Sequence, residues 1–309
     1  MNIKELAQLK QDNVKFAPGH RSCSGCGFPP IVRTVLAAAK DDVVVSNATS
    51  CLEVTSTIYP YTSWKVPWIH NAFENAAATI SGVEAAYKAL QRTGKIAKDK
   101  KIKFITFGGD GGTYDIGLQS LSGAIERGHK FLYVLYDNEA YMNTGVQRSS
   151  ATPFGAATTT TPAGKVHQGK EKFKKDITKI MVAHNLKYVA QASPHNLIDL
   201  YNKAEKALNT DGPTFINVLS PCIPGWKIAT NSSIKISKAA VETNFWPLYE
   251  VIDGKYKLNY EPSTKKPIEE WLKPQGRFRH LFKPENKHII EKIQKRVDSE
   301  FEKLKKLCE

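Results

Sequence analysis

Residues 102–113 read IKFITFGGDGGT, and residues 131–138 read FLYVLYDN. Each stretch begins with a short apolar run rich in aromatic and β-branched residues and ends in glycine or polar residues, which predicts a β-strand followed by a loop. Between the two runs, apolar residues recur at roughly helical spacing. They are Ile116, Leu118, Leu121 and Ile125. We therefore predict a β-loop-α-β unit, in which a ligand binds beyond the carboxyl ends of the strands.

The loop after the first predicted strand combines glycines with one carboxylate, Asp110. Backbone N–H groups of a glycine-rich loop at a helix start attract phosphate. The dinucleotide fingerprint does not fit, because Tyr114 stands where its third glycine is required. A carboxylate beside a diphosphate is repulsive unless a cation lies between them, and Mg²⁺ prefers oxygen ligands from side chains and phosphates. Asn138, after the next strand, can supply a second oxygen, and the carbonyl near Ala140 a third.

The order of these residues resembles a known motif. Gly109-Asp110-Gly111, followed after 26 residues by Asn138, resembles the thiamine diphosphate motif. Residues 138–145, NEAYMNTG, resemble more narrowly the beta subunits of the 2-oxoacid:ferredoxin oxidoreductases, pyruvate synthase above all. For the short GDG triplet alone, the alternative is a glycine-rich turn with an incidental aspartate. The strand context and the spacing to Asn138 disfavour that alternative.

The resemblance implies that Asp110, Asn138 and the Ala140 carbonyl hold Mg²⁺, while the glycines approach the diphosphate. It also implies that the turn from Asn138 to Asn143 closes over the cofactor, and Asn143 is the catalytic candidate. The residues expected at the cofactor are Gly109, Asp110, Gly111, Gly112, Asn138, Ala140, Asn143 and Cys51.

Five cysteines in a cytosolic-looking chain argue against a disulfide framework and favour a metal site or thiol chemistry. Cys23 and Cys26 form a CxxC in a Gly/Pro-rich loop, and Cys51 and Cys222 each follow a predicted strand. We expect all three segments to deliver cysteine in loops beyond strands, at the ligand edge of the sheet. Four thiolates suit zinc or a [4Fe–4S] cluster, although one pair plus two singles fits paired zinc knuckles poorly. The alternative is that Cys51 and Cys222 are buried apolar residues and bind no metal. The resemblance implies a [4Fe–4S] cluster on these four residues. Cys308 has no strand context, so we expect it to be free.

Alternating helical and strand patterns predict an α/β fold with a mostly parallel sheet and helices on both faces. The resemblance implies that this α/β fold is the thiamine diphosphate-binding fold. The other predicted elements are helices at 73–92, 173–185 and 194–208, and strands within 43–50, 188–190 and 214–221. Residues 146–169 show little periodicity, which predicts a long functional loop.

Beyond Cys222 the composition changes, and we predict a cofactor- and cluster-binding domain at 1–225 and a C-terminal arm at 226–309. Residues 285–307 carry one apolar stripe, which predicts an amphipathic helix. Within the rest of the arm we predict a helix at 237–250, a strand at 256–260 and an irregular stretch at 261–284.

The net charge of +14 comes without a dense Lys/Arg block, so a nucleic-acid partner is not expected. A basic surface suits anionic cofactors, oxoacids and an acidic electron carrier, or is simply solvated. Residues 1–13 have no apolar signal core, and no run approaches the length of a membrane span. We expect a cytoplasmic protein with no membrane partner.

The resemblance implies oxidation of pyruvate, with coenzyme A and ferredoxin as further partners. In the wider superfamily, a Glu that contacts the aminopyrimidine sits on a module absent from this chain, so alpha-, gamma- and delta-type subunits are expected. Other 2-oxoacids or oxalate remain possible substrates, because selectivity can reside partly on the missing subunit. Phe28 stands where some relatives carry Glu near the cofactor, which leaves the substrate or cluster environment open. Two alternatives stay open: a thiamine decarboxylase or carboligase with structural zinc, and a non-catalytic scaffold subunit.

Overall fold

The fold is known from a computed structural model, which describes residues 2–309. Within them, eight strands form one sheet. The strands are β1 (Asp42–Ala48), β2 (Trp68–Asn71), β3 (Ile102–Gly109), β4 (Leu132–Asp137), β5 (Tyr188–Ala192), β6 (Thr214–Leu219), β7 (Leu248–Ile252) and β8 (Lys255–Tyr260). Their spatial order is β2-β1-β3-β4-β6-β5-β7-β8, parallel up to β5 and antiparallel for β7 and β8.

Eleven α-helical segments connect and cover the strands in the described chain. They are α1 (Ile3–Asp12), α2 (Phe28–Ala38), α3 (Cys51–Ser56), α4 (Ala76–Arg92), α5 (Leu118–Glu126), α6 (Ile177–Ala183), α7 (Leu197–Asn209), α8 (Ile223–Trp226), α9 (Ser233–Glu242), α10 (Glu269–Leu272) and α11 (Lys287–Cys308). A π-helical turn spans Gly111–Asp115, and two 3₁₀ segments span Gly276–Phe282 and Pro284–Asn286. No helix within residues 2–309 has the length and apolar character needed to span a bilayer.

The sheet has a core on each face because successive side chains of a strand point to opposite sides. In β4, Val134 joins the core that α2 and α7 cover, whereas Leu135 joins the core beneath α4, α5 and α6. All six residues of β4 are buried, as expected for a strand covered on both faces. The predicted parallel sheet with helices on both faces is therefore what the chain adopts.

Most elements lie where the patterns place them, with two differences. The helix predicted at 237–250 ends at Glu242, and residues 248–252 form β7, which pairs with β5. Asn244 has a φ of 59°, a left-handed conformation that commonly follows a helix end, and Pro247 cannot continue a helix. The stretch 261–284 also contains α10 and a 3₁₀ helix, so it is more regular than predicted.

The C-terminal arm packs on the rest of the chain through α11. Its buried residues lie on one stripe, as predicted, and they are Ile289, Ile290, Ile293, Val297, Phe301 and Leu304. Leu304 joins the core beneath the sheet, while Ile293 joins a third core around Trp226 and Trp271. The boundary at 225/226 stays a prediction, and β7 and β8 from the arm extend the same sheet.

Candidate active site

Four adjacent parallel strands carry the candidate site at their carboxyl ends. β1, β3, β4 and β6 are neighbours in the sheet and pair in parallel. Cys51 begins α3 shortly after β1, Asp110 follows β3 directly, Asn138 follows β4 directly, and Cys222 lies three residues after β6. Because these strands point the same way, their ends meet at one edge of the sheet. The fold thus brings together residues far apart in sequence.

Three oxygen atoms converge at this edge. The side-chain oxygen of Asn138 lies 2.8 Å from Asp110 Oδ1 and 2.8 Å from the Ala140 carbonyl oxygen. In an octahedral Mg²⁺ site with oxygens at about 2.0–2.1 Å, adjacent ligand oxygens lie about 2.9 Å apart. Both distances from the Asn138 oxygen therefore match the spacing of adjacent ligands in such a site. With the amide turned by half a rotation, its NH₂ group would instead donate to the same two oxygens.

Asp110 is a buried carboxylate beside a second one. Its side chain is 2 % exposed, and the Ser149 hydroxyl donates to its Oδ2. Burial, and then the negative charge of Asp137, raise the pKa of Asp110 well above its usual range. A cation at Oδ1 would remove this penalty, because it stabilises the charged form.

A buried chain of charges continues from there. Asp137 accepts from Tyr114 Oη at 2.6 Å and lies 2.6 Å from Lys174 Nζ. Lys174 also lies 3.2 Å from Glu139, whose other oxygen lies 2.5 Å from the Arg277 guanidinium. Burial lowers the pKa of Lys174, but the two carboxylates outweigh it and raise that pKa. Sequence reasoning missed this network: Glu139 stands inside the quoted motif, while Lys174 and Arg277 lie in segments without one.

A pocket of about 420 Å³ opens between the loops that follow β1, β3 and β4. Asn143, in the turn after β4, lines the pocket, and so does Cys51. All the residues expected at the cofactor line it: Gly109, Asp110, Gly111, Gly112, Asn138, Ala140, Asn143 and Cys51.

Two glycines of the loop are required by close packing. A Cβ atom on Gly111 would overlap the ring of Tyr141, and one on Gly112 would lie 2.8 Å from the Phe73 carbonyl oxygen. The Tyr141 hydroxyl also donates to the Gly111 carbonyl at 3.2 Å. The π-helical turn and the turn after β4 therefore fit together only when a side chain is absent here.

The CxxC loop, residues 20–27, is tied to both other cysteine segments. The Gly27 N–H donates to the Pro221 carbonyl at 3.1 Å, next to the fourth cysteine. The Arg21 N–H donates to the Thr55 carbonyl at 2.7 Å, within the helix that the third cysteine begins. The loop precedes α2 and does not follow a strand. The expectation that all three segments lie beyond strands is therefore wrong for the CxxC loop. Backbone hydrogen bonds, and not a preceding strand, hold this loop at the edge of the sheet.

The four cysteine thiols are close enough to affect one another. Burial, with smaller contributions from the charges of Cys222 and Cys23, raises the pKa of Cys26 to about 12. Burial raises the pKa of Cys51 as well, with the other three cysteines adding to the shift. Burial raises the pKa of Cys222 to about 11, and Cys23 again contributes. Cys308 lies elsewhere, near the backbone of Leu258 in β8.

A site for a single metal ion requires several side chains around one point. Among residues 2–309, no group of three or more His, Cys, Asp or Glu side chains is arranged around one possible ion position. A tetrahedral zinc with Zn–S bonds of about 2.3 Å would hold its sulfurs about 3.8 Å apart. A cube of iron and sulfide spaces its four thiolates more widely.

Phe28, where some relatives carry Glu, lies outside the pocket lining. Phe28 is 2 % exposed and begins α2, with its ring 5.9 Å from that of Tyr136, which does line the pocket. Phe28 is therefore a core residue packed against the site.

Known proteins match this chain over nearly its whole length. Residues 48–218 match the family model of the C-terminal TPP-binding domain of thiamine pyrophosphate enzymes. Subunit PorB of pyruvate synthase from Thermotoga maritima is 55 % identical over 309 residues, covering 98 % of this chain and 95 % of that protein. PorB from Methanocaldococcus jannaschii is 56 % identical over 284 residues, covering 92 % and 94 %. Subunit VorB of ketoisovalerate oxidoreductase from Pyrococcus abyssi is 45 % identical over 296 residues, covering 95 % and 93 %.

A solved structure shares the fold. A 2-oxoglutarate:ferredoxin oxidoreductase from Magnetococcus marinus aligns with a TM-score of 0.56 and 19 % identity, covering 74 % of this chain and 80 % of that chain. The expected resemblance and fold class are confirmed by the family model and the relatives. The chain belongs to the thiamine pyrophosphate enzymes and, within them, to the PorB/VorB-type beta subunits of the 2-oxoacid:ferredoxin oxidoreductases.

Proposed function

We propose that this chain binds thiamine diphosphate, Mg²⁺ and one [4Fe–4S] cluster, and acts as the beta subunit of a pyruvate:ferredoxin oxidoreductase. The reaction joins pyruvate and coenzyme A to give acetyl-CoA and CO₂. Two electrons leave one at a time for two ferredoxin molecules, and the reaction is reversible. The choice of pyruvate rests on the PorB relatives, which are the most identical of those compared above.

The observation that carries the proposal is the convergence of three oxygens beside the pocket. Asp110 Oδ1, the Asn138 side-chain oxygen and the Ala140 carbonyl would hold Mg²⁺, and the metal would hold the diphosphate. The Ser149 hydroxyl occupies Asp110 Oδ2, which leaves Oδ1 for the ion. Asn143 lines the pocket on the side of the closing turn, where it can contact the reacting end of a bound ligand. When bound, thiamine diphosphate supplies the nucleophilic carbon that makes loss of CO₂ from a 2-oxoacid feasible.

The cluster would be held by Cys23, Cys26, Cys51 and Cys222. Support comes from the hydrogen bonds that tie their three segments together and from the mutual effect of the thiols on their pKa values. Cys51 also lines the pocket, so the cluster would lie directly beside the cofactor. That proximity gives electrons a short path out of the site.

The proposal requires partner chains. The described lining of the pocket holds no glutamate to contact an aminopyrimidine ring. Alpha-, gamma- and delta-type subunits of the same complex would supply that module and the onward electron path. We place the assembly in the cytoplasm, where a reducing environment preserves thiols.

The test is anaerobic purification of the chain with its partners, followed by analysis of bound thiamine diphosphate, magnesium, iron and acid-labile sulfide. Pyruvate- and coenzyme A-dependent reduction of a viologen dye should accompany at least four irons per beta subunit, the number that one such cluster contains. Zinc in place of iron, with decarboxylation but no dye reduction, would support a non-redox thiamine enzyme instead. A complex without thiamine diphosphate would instead indicate a non-catalytic scaffold subunit.

A second substrate deserves a direct comparison. The VorB relative, at 45 % identity, belongs to a ketoisovalerate oxidoreductase. The ratio of kcat/KM for pyruvate to that for 2-ketoisovalerate decides between the two substrates. We expect pyruvate to be favoured, and a ratio below one would reassign the substrate within the same chemistry.

A further inference from the structure

Arg277 reaches the metal side of the site from the C-terminal arm. It lies in the 3₁₀ helix Gly276–Phe282 and is only 2 % exposed. Its Nη2 donates to Glu139 Oε2 at 2.5 Å across a sequence separation of 138 residues. Its Nε donates to Gln275 Oε1 at 2.9 Å, which fixes the plane of the guanidinium. The arm therefore delivers one oriented cation to the turn after β4.

Glu139 is the residue between two of the proposed metal ligands, Asn138 and Ala140. Its φ is 71°, a left-handed conformation that a glutamate rarely adopts. Such a conformation persists only where the surroundings over-determine it. The surroundings do so here, because the Glu139 N–H donates to Asp137 Oδ1 at 3.0 Å and its carbonyl accepts from Thr152 Oγ1 at 2.7 Å.

The side chain of Glu139 adds the remaining constraint. It is fully buried between Lys174, at 3.2 Å, and Arg277. Lys174 is shared with Asp137, whereas Arg277 makes its ion pair with Glu139 alone. Removing Arg277 would leave a buried carboxylate with only a shared cation, and such a group moves toward water or another partner.

Arg277 also braces the neighbouring peptide. Its guanidinium lies 4.1 Å from the ring centroid of Trp226, and Trp226 Nε1 donates to the Asn138 carbonyl at 2.8 Å. The two contacts hold the peptide that precedes the left-handed residue, while the ion pair holds the side chain of Glu139 itself. A substitution at Arg277 would thus displace both the Asn138 side chain and the Ala140 carbonyl.

We propose that Arg277 is a positioning residue for the divalent cation: it locks Glu139 in the left-handed conformation and so aims the Asn138 and Ala140 oxygens at the ion. This inference rests on the proposed function, which places Mg²⁺ between those oxygens. It assigns a role to the C-terminal arm, whose purpose the sequence leaves open.

The test compares Arg277→Met with Arg279→Met in the assembled, anaerobically purified complex. Arg279 is exposed on the same 3₁₀ helix and serves as a matched control. The readout is the Mg²⁺ concentration at which half of the sites retain thiamine diphosphate. We expect R277M to need at least tenfold more Mg²⁺ than the parent, R279M to match the parent, and Arg277→Lys to fall between them.

A second pair of variants separates backbone positioning from charge balance. Glycine adopts a positive φ without support, whereas alanine does not. If Arg277 acts by holding the backbone, E139G/R277M should recover Mg²⁺ affinity and E139A/R277M should not. Equal recovery by both double variants would show that only the unpaired charge mattered and would overturn the proposal.

The outcomes also separate this inference from the proposed function. A parent complex without Mg²⁺-dependent thiamine diphosphate would refute the function itself. A parent that binds both, with R277M indistinguishable from R279M, would refute the role of Arg277 alone. If R277M fails to assemble, R277K and the two double variants carry the same comparison, and iron content reports whether the cluster segments remain intact.

Discussion

At the scale of single residues, Asp110 combines deep burial with a like-charged neighbour, and one partner, Ser149, satisfies only one of its oxygens. We predict that Asp110→Ala lowers Mg²⁺-dependent affinity for thiamine diphosphate by at least about 100-fold, since a charge-assisted metal link to the diphosphate is lost. Cofactor content after gel filtration at fixed Mg²⁺ measures the change.

The control for this variant is Asp211→Ala, which removes an exposed carboxylate paired only with Lys130. It should leave cofactor content unchanged. Iron content should be unchanged in both variants, because Asp110 is not a proposed cluster ligand. An Asp110→Ala protein that still retains the cofactor at the parent's Mg²⁺ concentration would contradict the assignment.

A second comparison of single residues concerns two cysteines, Cys51 and Cys308. Cys51 lies among the other three thiols and lines the pocket, whereas Cys308 lies near β8. We predict that Cys51→Ala abolishes the visible absorbance of the cluster and the reduction of ferredoxin, because one of four thiolate ligands is gone. Cys308→Ala should keep both. An unchanged spectrum in Cys51→Ala would remove this residue from the ligand set.

At the scale of elements, the loop after β3 begins as a π-helical turn at Gly111–Asp115, and α5 starts only at Leu118. Such turns are rare and occur often at functional sites. Here Asp110 precedes the turn, and Thr113 Oγ1 donates back to the Gly109 carbonyl at 2.7 Å. The sequence predicted a glycine-rich loop through Thr113 and helical spacing only from Ile116, so the π-helical turn was not predicted.

A glycine-to-alanine pair tests the packing of this turn. Gly111→Ala should displace Tyr141 and with it the turn after β4, so affinity for thiamine diphosphate should fall at least about tenfold, as for other overpacked sites. Gly82→Ala, at an open position in α4, should instead stabilise the protein by about 0.5–1 kcal/mol. Cofactor titration and thermal unfolding measure the two effects. Equal cofactor affinity in Gly111→Ala and the parent would show that the two turns are not coupled.

At the scale of the whole molecule, the parallel order of β1, β3, β4 and β6 places Cys51, Cys222 and the proposed cofactor residues on one edge. In the proposed function the chain supplies the metal side of the pocket, and the described lining of that pocket holds no glutamate. We therefore predict that the isolated chain, given Mg²⁺, thiamine diphosphate, pyruvate and coenzyme A, does not reduce a viologen dye.

Adding the partner subunits should restore dye reduction, and the rate should saturate at a fixed ratio of chains. The Asp110→Ala chain mixed with the same partners should stay inactive, which controls for activity brought by the partners. Pyruvate-dependent dye reduction by the parent chain alone would show that its site is complete without them.

The sequence by itself determined six of the eight strands, the loops that end the site-bearing ones and the family, because these depend on residues close together in the chain. The spacing from Asp110 to Asn138 spans one β-loop-α-β unit, whose geometry is nearly invariant. Only the tertiary structure decided that Glu139 is left-handed and that Arg277, 138 residues away, is its partner. A contact of that kind depends on how the arm packs against the sheet, and no local pattern records it.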